Sequence, residues 1–197
     1  MTFKLGLTGS IGMGKSTAAS MFRDQGIPVW DADQAVHELY TKDHRVIEQI
    51  SEIVPDAKTE DGLDRQALRM AIQPDPGLLA KIESIVHPAV QAHREAFLEA
   101  NGDAALVVLE IPLIFELKIH AQFDAVAVVS TDANTQKARV LGRGTMSEAD
   151  FELILSKQVP DAQKRKLADF IIPSDTLETA QKSVQGIIET IGVPRQY

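Results

Sequence analysis

The segment Gly9-Ser-Ile-Gly-Met-Gly-Lys-Ser16 matches the pattern G-x-x-x-x-G-K-[ST] in full. Glycines in such a turn let backbone N–H groups curl around a phosphate, where a side chain would block the approach. In this pattern Lys15 reaches the β- and γ-phosphates, and the Ser16 hydroxyl can ligate Mg²⁺. The predicted triphosphate-binding residues are Gly9, Ser10, Ile11, Gly12, Met13, Gly14, Lys15, Ser16 and Thr17, with Ser16 also the metal ligand.

A glycine-rich turn with a chance lysine is the simpler interpretation of this segment. The context argues against it, because the pattern falls between a predicted strand and a predicted helix, which a phosphate loop requires. A dinucleotide-binding G-x-G-x-x-G turn is excluded, because Thr17 stands where its third glycine should be. The guanine-reading N/T-K-x-D motif is absent, since Thr41-Lys-Asp-His44 has its aspartate one place early.

Two aspartates and a glutamate follow predicted strands and could act on a substrate or a metal. Asp31-Ala-Asp33 ends the second strand, at the carboxyl edge where ligands of open α/β sheets bind. Either aspartate would equally well cap a helix over 35–40. Glu110 could hold a magnesium-bound water or could simply be a solvent-facing strand end, and the residues alone do not separate these alternatives.

Positive charge is concentrated between Lys137 and Lys166, with seven Lys or Arg against four acidic residues. Arg139 and Arg143 are spaced i, i+4, so both guanidiniums could reach one phosphate chain. Gly142 flanks Arg143 on one side and Gly144 on the other, and both could be hinges of a moving lid. The alternative is a solvated helical face.

Apolar runs and helical periodicity alternate along the chain and predict an α/β fold with a parallel sheet. Near-continuous apolar runs are typical of parallel strands buried on both faces. The predicted strands are Lys4–Thr8, Val29–Asp31, Leu106–Glu110, Phe123–Val129 and Phe170–Ile172. The predicted flanking helices include Lys15–Arg23 and Thr176–Ile191, the latter with Asp175 and Glu178 as its capping pair.

Residues 41–100 show helical periodicity and form a block far longer than a strand crossover needs. Prolines 55, 74, 76 and 88 are expected to divide this block into short helices. We interpret it as an inserted subdomain that binds a second substrate. The prediction is one domain over 1–197, with a core of about 1–40, 101–140 and 168–197, a helical insert of about 41–100 and a lid of about 141–167.

Composition limits the classes of function. The 197 residues suit one domain, and a net charge of −8 argues against nonspecific nucleic-acid binding as the primary role. The absence of cysteine excludes disulfides, iron–sulfur clusters and thiol catalysis. The five histidines lack the spacing of a helical metal site. Without a signal peptide or an apolar run of ~18 residues, we expect a cytoplasmic protein with no membrane contact and no obligate protein partner.

The chain resembles the dephospho-coenzyme A kinase family from Leu5 to about Ile172. The D-A-D, H-P and P-L-I-F-E segments, in this order, are far more specific than the phosphate loop. The matching segments are Leu7–Ser16, Val29-Trp-Asp-Ala-Asp33 with His37-Glu-Leu39, Asp61-Gly-Leu-Asp-Arg65 with Leu68, Ile85-Val-His-Pro88, Ile111-Pro-Leu-Ile-Phe-Glu116, Arg139, Arg143, and Lys164 with Ala168–Ile172.

The resemblance implies a P-loop kinase that uses Mg²⁺ and ATP to phosphorylate the ribose 3′-hydroxyl of dephospho-CoA, the last step of coenzyme A synthesis. By this resemblance Asp33 would orient or deprotonate that hydroxyl, with Asp31 assisting or ordering Mg²⁺. Lys15 and Arg139 or Arg143 would stabilise the transferring phosphoryl. His87, Pro88, Pro112, Leu113, Phe115 and Glu116 would shape the acceptor pocket.

From the residues alone, several of these positions have simpler explanations. His87, standing before a proline, is more often a structural residue, and residues 112–115 could be core. Two other functions also fit a phosphate loop. One is a kinase for a nucleoside, a nucleoside monophosphate or a small acid. The other is a nucleotide-gated binding protein that hydrolyses ATP slowly without a phosphoryl acceptor.

Overall fold

The computed structural model describes residues 2–192. Within them, helices and strands alternate along the first thirty residues and again after residue 100, and a mainly helical block lies between. The elements are β1 (Phe3–Thr8), α1 (Lys15–Asp24), β2 (Val29–Asp31), α2 (Ala32–Lys42), α3 (His44–Ile53), β3 (Lys58–Thr59), β4 (Gly62–Leu63), α4 (Arg65–Ile72), α5 (Pro76–Ala100), β5 (Leu106–Glu110), β6 (Ala125–Ser130), α6 (Ala133–Leu141), α7 (Glu148–Lys157), α8 (Asp161–Leu167), β7 (Phe170–Pro173) and α9 (Leu177–Ile191).

The main sheet has the strand order β2-β5-β1-β6-β7 among the described residues. The pairs β1–β5, β1–β6 and β6–β7 are parallel. All residues of β5 and β6 are buried, as the near-continuous apolar runs predicted. Helices α1 and α9 pack on the sheet through Phe22 and Val184, which join Leu5 and Val108 in one apolar core. The predicted α/β fold with a parallel sheet is confirmed.

The chain divides into two compact units, one formed by Asp31–Ala100 and the other by the described residues on either side of it. The helical unit has its own apolar core, which includes Leu39, Ile50, Leu68 and Ile82. It begins at Asp31, whereas we predicted an insert from residue 41. The reason is that α2 buries Leu39 in the helical unit's own apolar core.

The prediction that Pro88 ends a helix is wrong, because Pro88 lies inside the continuous helix α5. A proline within a helix removes one backbone hydrogen bond to the residue four positions earlier. Here the apolar stripe continues through the proline: Ile82 and Val86 are buried before it, and Val90 packs on the same core after it. Packing on both sides therefore keeps the helix unbroken. Neither α5 nor any other helix within 2–192 has the length and apolar character needed to span a bilayer.

The short hairpin of β3 and β4 interrupts the helical unit and was not predicted. Its turn ends at Gly62, which has φ 117° and leaves no room for a side chain: a Cβ there would lie 2.1 Å from the Tyr40 carbonyl oxygen. The Asp61-Gly62 dipeptide is a turn signal that the helical periodicity of the flanking segments concealed.

Candidate active site

The phosphate-loop segment lies between the end of β1 at Thr8 and the start of α1 at Lys15. Gly14 is the N-cap of α1 and adopts a left-handed conformation, φ 91° and ψ 25°, with no side-chain capping hydrogen bond. A glycine N-cap places no side chain at the start of the helix, where the helix dipole favours an anion. Gly12 has φ 77°, and a Cβ at this position would lie 2.5 Å from Val140 Cγ2. The strand–turn–helix context that the motif requires is present.

Met13, within this loop, is anchored to the ends of two neighbouring strands. Its side chain is buried, and Sδ accepts a hydrogen bond from the N–H of Thr131, just after β6, at 3.3 Å. The Ser174 hydroxyl, just after β7, donates to the Met13 carbonyl oxygen at 2.7 Å. These contacts hold the loop at the carboxyl ends of β6 and β7, where ligands of open α/β sheets bind.

Asp175 supports this same edge and does not cap α9, so that prediction is wrong. The N-cap is Thr176, whose hydroxyl accepts from the Thr179 N–H at 3.1 Å. Asp175 Oδ1 instead accepts a hydrogen bond from the Thr131 hydroxyl at 2.7 Å. The carboxylate prefers this hydroxyl because the adjacent threonine already satisfies the helix end.

Arg139 lies beside the phosphate loop. Its Nη1 donates to Ser174 Oγ at 3.1 Å, and its Nη2 donates to the Ser174 carbonyl oxygen at 2.6 Å. A Cβ placed on Gly14 would lie 3.7 Å from Arg139 Nη1, so the guanidinium lies next to the N-terminus of α1. Ser174 therefore contacts both the loop, through Met13, and the arginine.

Arg143 does not share a helix with Arg139, so the i, i+4 spacing does not place the two side chains on one helical face. Helix α6 ends at Leu141, with Gly142 as its C-cap, and Arg143 lies exposed in the turn that follows. Gly144 has φ 67°, a left-handed conformation that a helix cannot continue through. The glycines therefore end the helix before the second arginine.

Glu110 lies at the end of β5 and is buried, with 4% of its surface exposed, so the solvent-facing alternative is wrong. Its register partner on β1 is Leu7, close to the start of the loop. The Ser16 hydroxyl donates to Glu110 Oε1 at 3.4 Å. A buried carboxylate next to the loop serine is an arrangement of hard oxygen donors that suits Mg²⁺. Within 2–192, however, no group of three His, Asp or Glu residues could hold a metal by itself.

The segment after β5, residues 112–116, lies in the same unit as the phosphate loop. The Pro112 carbonyl oxygen accepts from the Thr8 hydroxyl at 3.0 Å, while Leu113 is partly exposed. Phe115 is buried, its ring centre 6.0 Å from that of His120. Glu116 Oε1 accepts from the Val159 N–H at 2.9 Å. Phe115 therefore belongs to the core, and Glu116 connects two segments of this unit.

The other predicted site residues belong to the helical unit. Asp31 is the N-cap of α2, because its Oδ1 accepts from the N–H groups of Asp33 at 2.8 Å and Gln34 at 3.0 Å. The Asp33 side chain is exposed on the first turn of that helix. His87 and Pro88 are exposed on α5.

His87 lines a groove of ≈ 360 Å³ in the helical unit, together with Tyr40, Arg65 and Arg69. The Arg65 guanidinium lies 5.6 Å from the centre of the Tyr40 ring, a cation–π arrangement. Burial raises the pKa of the Tyr40 hydroxyl above its usual value, and the Arg65 charge partly offsets the effect. The groove combines apolar walls with two arginines and one glutamate, Glu83, and this excess of positive charge suits a ligand that carries phosphates.

Ser174, Gln136 and Gln158 were not predicted, and their side chains hydrogen-bond to the backbone of the phosphate loop. Ser174 donates to Met13, Gln136 donates to the Ile11 carbonyl oxygen at 2.7 Å, and Gln158 accepts from the Ile11 N–H at 3.2 Å. No residue-type pattern marks them, because serine and glutamine occur throughout protein surfaces. Glu110, in contrast, was a candidate from the sequence, because it stands at the end of an apolar strand.

The parallel sheet and its phosphate loop place the chain among the P-loop kinases. Solved structures support the fold: a crystal structure from Thermus thermophilus covers 98% of this chain and 99% of its own, with a TM-score of 0.86 and 28% identity. Dephospho-CoA kinase from Campylobacter jejuni has a TM-score of 0.68 at 22% identity, covering 96% and 97% of the two chains.

The chain belongs to the dephospho-CoA kinase family, whose family model matches residues 3–179. It is 48% identical over 191 residues to a dephospho-CoA kinase from Ruegeria pomeroyi, covering 97% of this chain and 96% of the relative. It is also 48% identical over 189 residues to one from Cereibacter sphaeroides, covering 96% and 95%. The resemblance seen in the sequence motifs is confirmed.

Proposed function

We propose that this kinase transfers the γ-phosphoryl group of ATP to the ribose 3′-hydroxyl of dephospho-CoA, giving coenzyme A and ADP in the last step of coenzyme A synthesis. Membership of the family supports the acceptor and the product. The observation that carries the donor half is the loop 9–14, which joins β1 to α1 and ends on the left-handed Gly14 at the N-cap of that helix. A cytoplasmic location, with ATP and dephospho-CoA as the only required partners, is part of the same proposal.

The donor residues act by electrostatic stabilisation. Residues 9–17 hold the triphosphate through backbone N–H groups, as phosphate loops do. Lys15 and Arg139 stabilise the charge on the transferring phosphoryl, and Arg143 joins them from the turn after α6. Arg139 suits this role because its bidentate contact with Ser174 fixes the guanidinium beside the start of α1.

Ser16 and Glu110 would hold Mg²⁺. The fit rests on the 3.4 Å separation of Ser16 Oγ and Glu110 Oε1, two oxygen atoms of the kind that Mg²⁺ prefers, and on the position of the carboxylate beside the phosphate loop. When bound with ATP, the ion would neutralise phosphate charge that develops during transfer. Asp31 is a second candidate for ordering it.

The acceptor side depends on the aspartates and on the helical unit. Asp33 is our first choice for orienting or deprotonating the 3′-hydroxyl, because Asp31 is already engaged as a helix cap whereas Asp33 is exposed. Arg65 and Arg69 in the groove beside His87 would bind the pyrophosphate of dephospho-CoA, whose charge and spacing suit a pair of guanidiniums. Pro88, Pro112 and Leu113 complete the proposed acceptor residues, and Phe115, which is buried, and Glu116, which is paired with Lys164, would help to shape the pocket from behind.

The experiment that tests the assignment identifies the product. Purified protein is incubated with Mg-ATP and dephospho-CoA, and the mixture is analysed by mass spectrometry for a species at the mass of coenzyme A. Adenosine, AMP, CMP and shikimate are offered in parallel. Phosphorylation of dephospho-CoA alone supports the proposal. Phosphorylation of another acceptor instead would keep the kinase fold and refute the acceptor.

A further inference from the structure

Glutamine side chains bind both the backbone N–H and the backbone carbonyl oxygen of Ile11. Gln136 Nε2 donates to the Ile11 carbonyl oxygen at 2.7 Å, and Gln158 Oε1 accepts from the Ile11 N–H at 3.2 Å. The orientation of each amide follows from chemistry, because a carbonyl oxygen needs a donor and an N–H needs an acceptor. Ile11 is the third residue of the phosphate loop, between Gly9 and Gly14.

The two glutamines come from different elements of the same unit. Gln136 is 5% exposed and lies on α6, one helical turn before Arg139. Gln158 follows α7 directly, and the N–H of its neighbour Val159 donates to Glu116. The backbone of Ile11 therefore joins the phosphate loop to α6, which carries Arg139, and to the connection between α7 and α8.

Steric contact reinforces the hydrogen bonds on the α6 side. At Gly12, the residue after Ile11, a Cβ would lie 3.1 Å from the Gln136 carbonyl oxygen and 2.5 Å from Val140 Cγ2. Helix α6 thus packs so closely against the loop backbone that no side chain fits at Gly12. A loop without hydrogen bonds of regular structure needs such external contacts to keep one shape.

We propose that Gln136 and Gln158 are positioning residues for nucleotide binding. By fixing the N–H and the carbonyl oxygen of Ile11, they hold the phosphate loop in the shape that binds the phosphates. They also couple that shape to α6 and hence to Arg139. This inference rests on the proposed function, because it assumes that the loop binds ATP.

The test compares the same substitution at the two positions. Gln158→Glu keeps an oxygen that accepts from the Ile11 N–H, whereas Gln136→Glu removes the donor and faces a carboxylate against the Ile11 carbonyl oxygen. Each adds one negative charge beside the Ile11 backbone, so the difference between them reports the lost hydrogen bond together with the deeper burial of the charge at position 136. We expect Gln136→Glu to bind ATP about tenfold more weakly than Gln158→Glu, the size expected for one hydrogen bond.

The readout is the Kd for ATP from calorimetric titration, which needs no acceptor and so stays informative if the acceptor assignment fails. Thermal unfolding without nucleotide separates positioning from a purely structural role, since a structural role changes Tm and does not change the Kd of the folded protein.

If Gln136→Glu does not fold, Gln158→Met replaces it in the comparison. This variant removes the acceptor of the Ile11 hydrogen bond at a half-buried position, where the substitution is easier to accommodate. We expect it to weaken ATP binding about tenfold relative to Gln158→Glu. Equal ATP affinity within either pair would overturn the proposal.

Discussion

Lys164 is completely buried, and its ammonium nitrogen lies 2.8 Å from Glu116 Oε1. The pair joins α8 to the segment after β5, and Glu116 also accepts from the Val159 N–H. We counted Lys164 among the basic residues of a lid and Glu116 among the acceptor residues. The structure pairs the two with each other, so the last part of the predicted lid is anchored in its own unit.

Breaking this pair should strongly destabilise the protein. Lys164→Met leaves a buried carboxylate without its cation, and we expect a loss of about 3–5 kcal/mol in the free energy of unfolding, measured with urea. Adding Glu116→Leu to that variant should restore most of the loss. The exposed pair Lys182–Glu178, at 2.6 Å, is the matched control, where Lys182→Met should cost less than about 1 kcal/mol. A Lys164→Met loss as small as the control would contradict the assignment.

The aspartates of α2 should separate into a cap and a catalytic group. Asp33→Asn is expected to lower kcat by about 10²–10⁴-fold, with little change in KM for ATP, because it removes a proton acceptor. Asp31→Asn should keep the cap, since asparagine caps helices as well as aspartate, whereas Asp31→Ala should cost about 1 kcal/mol of stability. Steady-state kinetics and urea unfolding measure the two effects. Unchanged turnover in Asp33→Asn would remove that residue from the mechanism.

Glu110 should affect the requirement for divalent metal. Glu110→Gln keeps a polar group beside Ser16 and removes the negative charge, so we expect the Mg²⁺ concentration for half-maximal rate to rise about tenfold or more. Asp103→Asn makes the same charge change before the other end of β5 and should leave this concentration unaltered. Identical metal dependence in the two variants would argue against a role for Glu110.

Helix α6, which carries Gln136 and Arg139, has an acid-sensitive cap. Asp132 is its N-cap, and hydrogen bonds from the side chain and N–H of Thr135 lower the pKa of this carboxyl below its usual value. A depressed pKa contributes stability above about pH 4, and this contribution is lost as the pH falls through the folded-state pKa. We therefore expect the stability difference between wild type and Asp132→Asn, from urea unfolding, to shrink between pH 7 and about pH 3. A difference independent of pH would contradict this.

The sequence predicted the features that depend on local pattern. The strands Val29–Asp31 and Leu106–Glu110 have their predicted bounds, because a continuous apolar run between turn residues admits few alternatives. The loop 9–14 lies between a strand and a helix as its motif requires. Each of these is specified by residues adjacent in the chain.

The errors occurred where two local signals compete. Pro88 marks a possible helix end, but packing on both sides of it decided the outcome. Asp175 and Thr176 are both residue types that cap helices well. Only the structure shows that Asp175 binds the Thr131 hydroxyl instead of the helix end. The i, i+4 spacing of Arg139 and Arg143 suggests one helix, but Gly142, between them, is the C-cap that ends α6.

The residues missed altogether make contacts across long sequence separations. Gln136 is 125 positions from Ile11, Gln158 is 147 positions from it, and Ser174 is 161 positions from Met13. Nothing in an amide or hydroxyl side chain indicates such a partner, because both types bond to any nearby backbone group. Only the folded sheet, with β1 next to β6 and β6 next to β7, brings them to the loop.

The most direct test of the proposed activity is the initial rate of ADP formation with Mg-ATP, measured with dephospho-CoA, with coenzyme A and with no acceptor. Coenzyme A is the matched control, because its 3′-hydroxyl already carries the phosphate. We expect ADP formation to depend on dephospho-CoA, to stay at the no-acceptor rate with coenzyme A, and to vanish in a folded Lys15→Ala variant. ADP formation that is equal under all three conditions would contradict phosphoryl transfer to that hydroxyl.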